Sequence, residues 1–262
     1  MSLPGESKIY LGDCIEIMKT FPDAYVDLVI TDPPYGVYSE VIIHRFTVIK
    51  TQSQNPKKYK YTGKDIKNAF NTFDRFETDE AYWNFTEEWL KETSRVLKDT
   101  GHFVSFIDQN KGGDFARKAK ELGFILRQWL YWKKSNPTPR ARRCDFMIAL
   151  EAMIWLTKTT KSGATFNYQL GQQPNYFEAS VPHNEKGDRR FHPTQKPLKV
   201  IETLLRYLSN SGDMVLDPFM GSGSIVVACI KTNRRYIGIE KDEKYFNLAK
   251  NRIDFFSKGI YE

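Results

Sequence analysis

The stretch "LVITDPPYGV", Leu28 to Val37, takes an apolar run into a carboxylate, two prolines and an aromatic ring. Proline has no N–H for a strand ladder, so the run reads as a buried strand that stops at Asp32. A plain turn requires no such succession of residue types. A site that holds a flat polar group has a use for all of them: Asp32 as a charged acceptor, Pro33 and Pro34 as rigid backbone, Tyr35 as a ring to stack on.

A second set lies in "VLDPFMGSGSIVVACI", Val215 to Ile230. A strand ends on Asp217, Phe219 follows, and the turn Gly221, Ser222, Gly223 leads into a helix. Glycine lets a backbone turn sharply and come close to a ligand, and a helix start offers unpaired N–H groups. The pattern resembles a nucleotide fingerprint with Val226 where a third glycine would stand. By itself it also reads as a plain strand-to-helix turn. The next strand ends in Glu240 and Lys241, with Glu240 nineteen residues after Gly221. An acidic residue at that place can hold two ribose hydroxyls. Asp217 would repel a diphosphate and attract an ammonium. The implied ligand has a ribose and an amino group but no phosphates, and S-adenosylmethionine has both. "HPTQKP", His192 to Pro197, is either an ordinary helix start, which Pro197 suits, or the place where Thr194 and Lys196 meet the cofactor's carboxylate.

The elements that must position these residues alternate. "IYLGD", "VDLVITD", "GHFVSFI", "LRQWLYWKK", "DMVLDPF" and "RRYIGIEK" read as strands. "CIEIMKTF", "GDFARKAKELGF", "LKVIETLLRYLSN", "GSIVVACIKTN" and "DEKYFNLAKNRIDFF" read as helices. Such alternation predicts crossover units and a mostly parallel sheet, and unbroken apolar strands fit burial on both faces. Two regions break the rhythm. Residues 36–78 form a long polar stretch expected to be a mobile basic loop, with "KTQSQNPKKYKYTGKDIKN" carrying six lysines and two tyrosines. The second break, from about Lys134 to Arg190, opens with "KKSNPTPRARR", closes with "NEKGDRRFHP" and holds a strand-like "FMIALEAMIWLTK", which suggests one or two sheet strands with an inserted module.

The chain has 262 residues, enough for one large domain or one domain with an insertion. Its net charge of +7 suits a polyanionic partner. Cys14, Cys144 and Cys229 are too far apart for a disulfide framework or a zinc pattern, and His44, His102, His183 and His192 lack ligand spacing. No metal is expected, and a reducing cytoplasm is the expected location. "MSLPGESKIY" lacks the apolar core of a secretory signal, and no apolar run is long enough to cross a bilayer, so no membrane partner is expected.

Taken together, "DPPY" at Asp32–Tyr35, "FMGSG" at Phe219–Gly223 and "HPTQKP" resemble the motifs of the S-adenosylmethionine-dependent DNA amino-methyltransferases. The catalytic motif comes first and the cofactor motif last, as in the circularly permuted beta group of that family. The resemblance covers about residues 8 to 256 and implies a Rossmann-like α/β methyltransferase fold: a mostly parallel seven-stranded sheet with one reversed strand and helices on both faces. It implies a catalytic half over 1–135, a target-recognition region over 136–190 and a cofactor-binding half over 191–262. S-adenosyl-L-methionine would be the cofactor, held by Asp13, Asp32, Thr194, Lys196, Asp217, Phe219, Gly221, Ser222, Gly223, Glu240 and Lys241. Asp13 reads equally as the N-cap of "CIEIMKTF". The partner would be double-stranded DNA, with a homodimer and a cognate restriction endonuclease as the further partners that the resemblance admits.

On that resemblance the opening motif acquires a chemistry. An exocyclic base amine is a poor nucleophile because its lone pair is delocalised into the ring. Two acceptors that take both amino hydrogens favour the pyramidal form and stabilise the positive charge that grows as a methyl arrives. Asp32 would be one and the carbonyl of Pro33, aimed by its fixed φ, the other. The base would have to be flipped out of the duplex. In the family, Asp at the first motif position goes mainly with adenine N6 and Ser with cytosine N4, so Asp32 favours adenine. Lys57, Lys58 and Lys60 of the first polar stretch and Arg140, Arg142 and Arg143 of the second are the expected DNA contacts, each also readable as a solvated charge. The alternatives are a cytosine-N4 enzyme of the same mechanism and a DNA-binding protein without catalysis.

Overall fold

A computed structural model describes residues 7–36, 43–49, 58–66, 76–137, 146–158, 164–182 and 195–258. The chain forms two compact units, one made of Met1–Pro33, Thr86–Thr138 and Ile148–Glu262, the other of Pro34–Phe85 and Pro139–Met147. In chain order the elements are β1 (Lys8–Leu11), α1 (Cys14–Met18), β2 (Val26–Thr31), β3 (Ile43–Ile49), β4 (Lys58–Ile66), α2 (Asp79–Val96), β5 (Leu97–Ile107), α3 (Gly112–Glu121), β6 (Ile125–Lys134), β7 (Leu150–Thr157), β8 (Tyr176–Ala179), α4 (Leu198–Leu208), β9 (Met214–Asp217), α5 (Ser224–Lys231), β10 (Arg235–Glu240) and α6 (Glu243–Ser257).

The first unit is built on an eight-stranded sheet of order β1-β10-β9-β2-β5-β7-β6-β8. β1, β10, β9, β2 and β5 run parallel, as helix crossovers require. β7 is reversed and pairs antiparallel with β5 on one side and β6 on the other. The sheet has one strand more than the seven expected. The extra one is the four-residue β8, which pairs parallel with the outer edge of β6. Both β7 and β8 come from the span 136–190, so these parts of the expected recognition region build the central sheet.

Alternation along the strands sends apolar side chains to both faces. Leu28 and Ile30 of β2, with Val104 and Phe106 of β5, meet Val200, Ile201, Leu204 and Leu205 of α4 and Ile225 and Ala228 of α5. On the opposite face Phe103 meets Trp89 of α2 edge-on at 6.0 Å and Phe115 of α3 at 6.4 Å. α6 closes over α5 through Ala249, Ile253 and Phe256. Helices therefore cover both faces, and β9 and all of β2 but Asp27 are buried at the centre, which explains the apolar runs "LVI" and "MVL".

From β9 the chain winds through α5 to β10, and from β2 through α2 to β5, in opposite directions across the sheet. The strand order reverses between β9 and β2. In open α/β sheets a crevice forms at the carboxyl ends of the strands at such a point.

In the second unit β3 and β4 pair antiparallel, from Ile43 opposite Ile66 to Ile49 opposite Lys58. Two paired strands thus stand within the span 36–78, where a mobile basic loop was expected. "IHRFTVI" is rich in β-branched and aromatic residues, and "KYKYT" alternates with period two, a strand signature concealed by its lysines. Phe76 packs edge-on against Tyr82 at 5.3 Å in the same unit.

Candidate active site

Asp32 follows β2 directly, and Asp217 is the last residue of β9, so the two carboxylates flank the reversal point. Asp217 is 1 % exposed. Its Oδ1 accepts from Thr31 Oγ at 3.0 Å and from the Phe219 N–H at 3.2 Å, while its Oδ2 has no hydrogen-bond partner among the described residues. Burial pushes its carboxyl up to about 8; the Thr31 and Phe219 bonds oppose this, and the Asp32 and Glu240 carboxylates reinforce it. Thr31 thus orients Asp217 from the neighbouring strand. It precedes the catalytic motif in sequence, where only its place at a strand end is visible.

After Asp217 the chain turns through Phe219, whose ring meets Trp89 edge-on at 5.3 Å. Gly221 and Gly223 have φ of 52° and 76°, a left-handed conformation that glycine adopts without the strain a Cβ brings, so the turn favours glycine at both places. Gly223 caps α5. Ser222 is buried, and its carbonyl accepts from the buried Arg252 of α6 at 3.0 Å, with Ser224 Oγ accepting from the same Nη1. Arg252 therefore braces the turn from behind, a function with no local sequence signal.

Glu240 ends β10. Its Oε2 accepts the Gly221 N–H and its Oε1 the Asp242 N–H, both at 2.8 Å, so it ties the glycine turn to the start of α6. Burial raises its pKa against the pull of those backbone donors. Each carboxylate oxygen has two acceptor positions, so Glu240 is able to take hydroxyls as well. Asp13 is the N-cap of α1, its Oδ1 accepting from Ile15 N at 3.0 Å, and Lys241 reaches its Oδ2 at 3.1 Å. Burial acts to raise the Asp13 pKa, but the Lys241 contact and the Ile15 and Glu16 N–H bonds together outweigh it, and the net shift is down.

Lys196, just ahead of α4, is 7 % exposed. Its Nζ lies 2.9 Å from Asp32 Oδ2 and 3.1 Å from Glu151 Oε2. Glu151 Oε1 in turn pairs with Lys134 Nζ at 2.8 Å. Lys196 was expected beside a cofactor carboxylate; in this structure it pairs with two protein carboxylates. Glu151 and Lys134 escaped sequence reasoning because they sit in strands where no motif marks them. Their shared edge follows from β7 running backwards, which brings its first residues to the carboxyl ends of its neighbours.

Pro33 is buried in the first unit, whereas Pro34 and Tyr35, both half-buried, belong to the second. Thr194, Lys57, Arg140, Arg142 and Arg143 lie outside the described residues, and Lys58 and Lys60 lie in β4. Among the described residues no group of three or more His, Cys, Asp or Glu could hold a metal, and no helix is long and apolar enough to cross a membrane.

The family model N6_N4_Mtase, described as DNA methylase, matches residues 26–251. The chain is 31% identical to the type II methyltransferase M.HinfI of Haemophilus influenzae, over 94% of this chain and 67% of that protein. It is 28% identical to the type II methyltransferase M2.MboI of Moraxella bovis, over 93% and 86%. Among solved structures, the complex of M1.HpyAVI with SAM superposes with a TM-score of 0.69 at 26% identity, covering 94% of this chain and 98% of that one. The cytosine-N4-specific PvuII DNA methyltransferase gives the same TM-score of 0.69 at 19% identity, over 97% and 92%, a likeness of fold.

Proposed function

Because the chain belongs to the DNA methylase family that residues 26–251 match, we propose that it transfers a methyl group from S-adenosylmethionine to the exocyclic N6 of an adenine flipped out of duplex DNA. The observation that carries the reading is the pair of carboxylates at the strand-order reversal, Asp32 after β2 and Asp217 at the end of β9. They have different surroundings and so different tasks: Asp32 pairs with a lysine, and Asp217 is buried with one oxygen lacking a donor.

The residues fit S-adenosylmethionine. An ammonium group supplies the donor that Asp217 Oδ2 lacks, and a ribose supplies hydroxyls to Glu240. The Gly221–Gly223 turn keeps side chains away from the ligand's path. When bound, the cofactor provides an activated methyl group, so no covalent enzyme intermediate is required. The chain's own part is positioning and electrostatics. Asp32 and the Pro33 carbonyl accept the two amino hydrogens and stabilise the charge that develops on nitrogen, and the DPPY motif assigns stacking to Tyr35. Proton loss follows methyl transfer.

Adenine is preferred on the strength of Asp32 at the first motif position. Two relatives named as type II methyltransferases support a modification role beside a restriction endonuclease. The basic residues of 36–78 and 136–190 are assigned to the DNA, and the cytoplasm to the protein.

The test is sequencing of modified bases in DNA from cells expressing the chain, beside an Asp32→Ala control. The expected result is N6-methyladenine in one short motif, absent from the control, while the variant still binds S-adenosylmethionine within about threefold of the parent, since Asp32 serves the amine. Turnover by Asp32→Ala refutes the role of that carboxylate. N4-methylcytosine instead of adenine keeps the mechanism and overturns the choice of base.

A further inference from the structure

A row of alternating charge, with Lys196 buried and the others half-buried, runs behind the catalytic motif: Asp32, Lys196, Glu151, Lys134, at successive separations of 2.9, 3.1 and 2.8 Å. The four residues come from four places in the chain: the end of β2, the approach to α4, the start of β7 and the end of β6. The charges sum to zero, and each internal member has a partner on both sides. Lys196 lies 4.7 Å from the centre of the Phe106 ring, a third attractive contact for the same ammonium.

Resting on the methyl-transfer reading above, we propose that Lys196 is a positioning residue for Asp32, itself held in place by Glu151 and Lys134. A carboxylate on a single bond rotates, and an acceptor that must meet an amine edge-on cannot be left to rotate. Holding Oδ2 sets the direction of Oδ1. Lys196 can do this only if its own long side chain is fixed, and the Glu151 contact fixes it. Glu151 would otherwise turn towards Lys134 alone.

The charges support the geometry. Burial pushes the Lys196 pKa down, but Asp32 and Glu151 push it up and prevail, so the residue stays cationic. Burial raises the Glu151 carboxyl, and Lys196 and Lys134 more than reverse this, so it stays ionised. The charged groups near Asp32 include Lys196 ahead of α4, Glu151 of β7 behind it, and Asp217 of β9. Lys196 is the cation between the Asp32 and Glu151 carboxylates, and an opposite charge at this range favours the ionised acceptor that the amine needs. The sequence expectation for Lys196, a contact with the cofactor's carboxylate, makes a different demand: cofactor affinity should depend on it. The two are separable by experiment.

Lys196→Met and Lys196→Arg are compared with the parent for kcat at saturating cofactor, for Kd of S-adenosylmethionine by calorimetry and for the pH profile of kcat. The expected result for Lys196→Met is a fall in kcat of about 100-fold, the effect of a misplaced catalytic group. Its Kd should stay within about threefold of the parent, and its acid limb should move to higher pH by about one to three units. Lys196→Arg should recover part of the rate and return the acid limb, and Glu151→Gln should give a smaller loss in the same direction. A Kd weakened tenfold or more with kcat retained overturns the inference and gives Lys196 to the cofactor. A fall in kcat with the acid limb unmoved also overturns it, because a merely structural lysine would do the same. A parent that transfers no methyl group refutes the proposed function. The pair is then tested by a cycle of Asp32→Asn, Lys196→Met and the double variant followed by melting temperature, in which additive shifts overturn the inference and a coupled shift supports the contact.

Discussion

Replacing Asp217 by Asn separates what this carboxyl does for the cofactor from what it costs the fold. In the folded protein its pKa stands at about 8, chiefly through burial. In the unfolded chain it returns to about 3.9. Between these values the folded state holds a proton that the unfolded state has released, so stability falls as pH rises, by about 1.4 kcal/mol per pH unit. At pH 7 the accumulated loss is about 4 kcal/mol, and at pH 5 about 1.5 kcal/mol. Asparagine does not titrate and escapes this loss. It also places an amide nitrogen where Oδ2 has no hydrogen-bond partner, which costs about 1–3 kcal/mol. The variant should therefore match or trail the parent at pH 5 and exceed it by about 1–3 kcal/mol at pH 7. Urea unfolding of both proteins at pH 5, 6, 7 and 8 measures the difference directly. Calorimetry on the same samples should show cofactor binding lost in the variant, because a bound ammonium draws the carboxyl into its ionised form and an amide has no such form. Stability curves that run parallel across this range would refute the burial argument, and a variant that binds the cofactor normally would refute the assignment of Asp217 to it.

Further outcomes follow from other residues. Glu240→Gln should weaken S-adenosylmethionine binding by about 10- to 100-fold, since a charged acceptor for hydroxyls becomes a neutral amide; unchanged affinity in calorimetry rules out a ribose contact. Gly238→Ala places a Cβ 2.5 Å from Met220 Sδ and 3.0 Å from Val226 Cγ2, and should destabilise the protein by about 1–3 kcal/mol, read as a lowered melting temperature with kcat unchanged. Burial lowers the His102 pKa to about 4, against the pull of its bond to the Thr165 carbonyl, while Trp155 donates to its Nδ1. The unfolded imidazole takes a proton near pH 6.5, so stability should be lost as pH falls from about 6.5 towards 4, up to about 3 kcal/mol in all; an NMR titration that finds the folded ring protonating near 6.5 overturns this.

The sequence by itself determined the class of fold and the ends of its strands. "LVITDPP", "MVLDPF" and "YIGIE" each run apolar and then stop on an acid, and each acid does stand at the carboxyl end of a buried central strand. This was legible because a strand buried on both faces must be apolar throughout, and because the residues that stop it are local chemistry. Asp13 as a helix cap was legible for the same reason, since a cap bonds to the N–H groups of the next turn. What joins distant segments was not. Lys196 reads as part of a helix start, and only the return of the chain to the β2 end puts its ammonium between Asp32 and Glu151. Thr31 on Asp217 and Arg252 behind the glycine turn are likewise contacts across 186 and 30 residues of chain. The pairing of β3 with β4 was hidden by composition: lysines alternating with tyrosines look like a charge run until a partner strand gives the alternation two faces. Local propensity names the elements and their ends. Which charges meet in the interior is set by strand order and direction, and these are tertiary quantities.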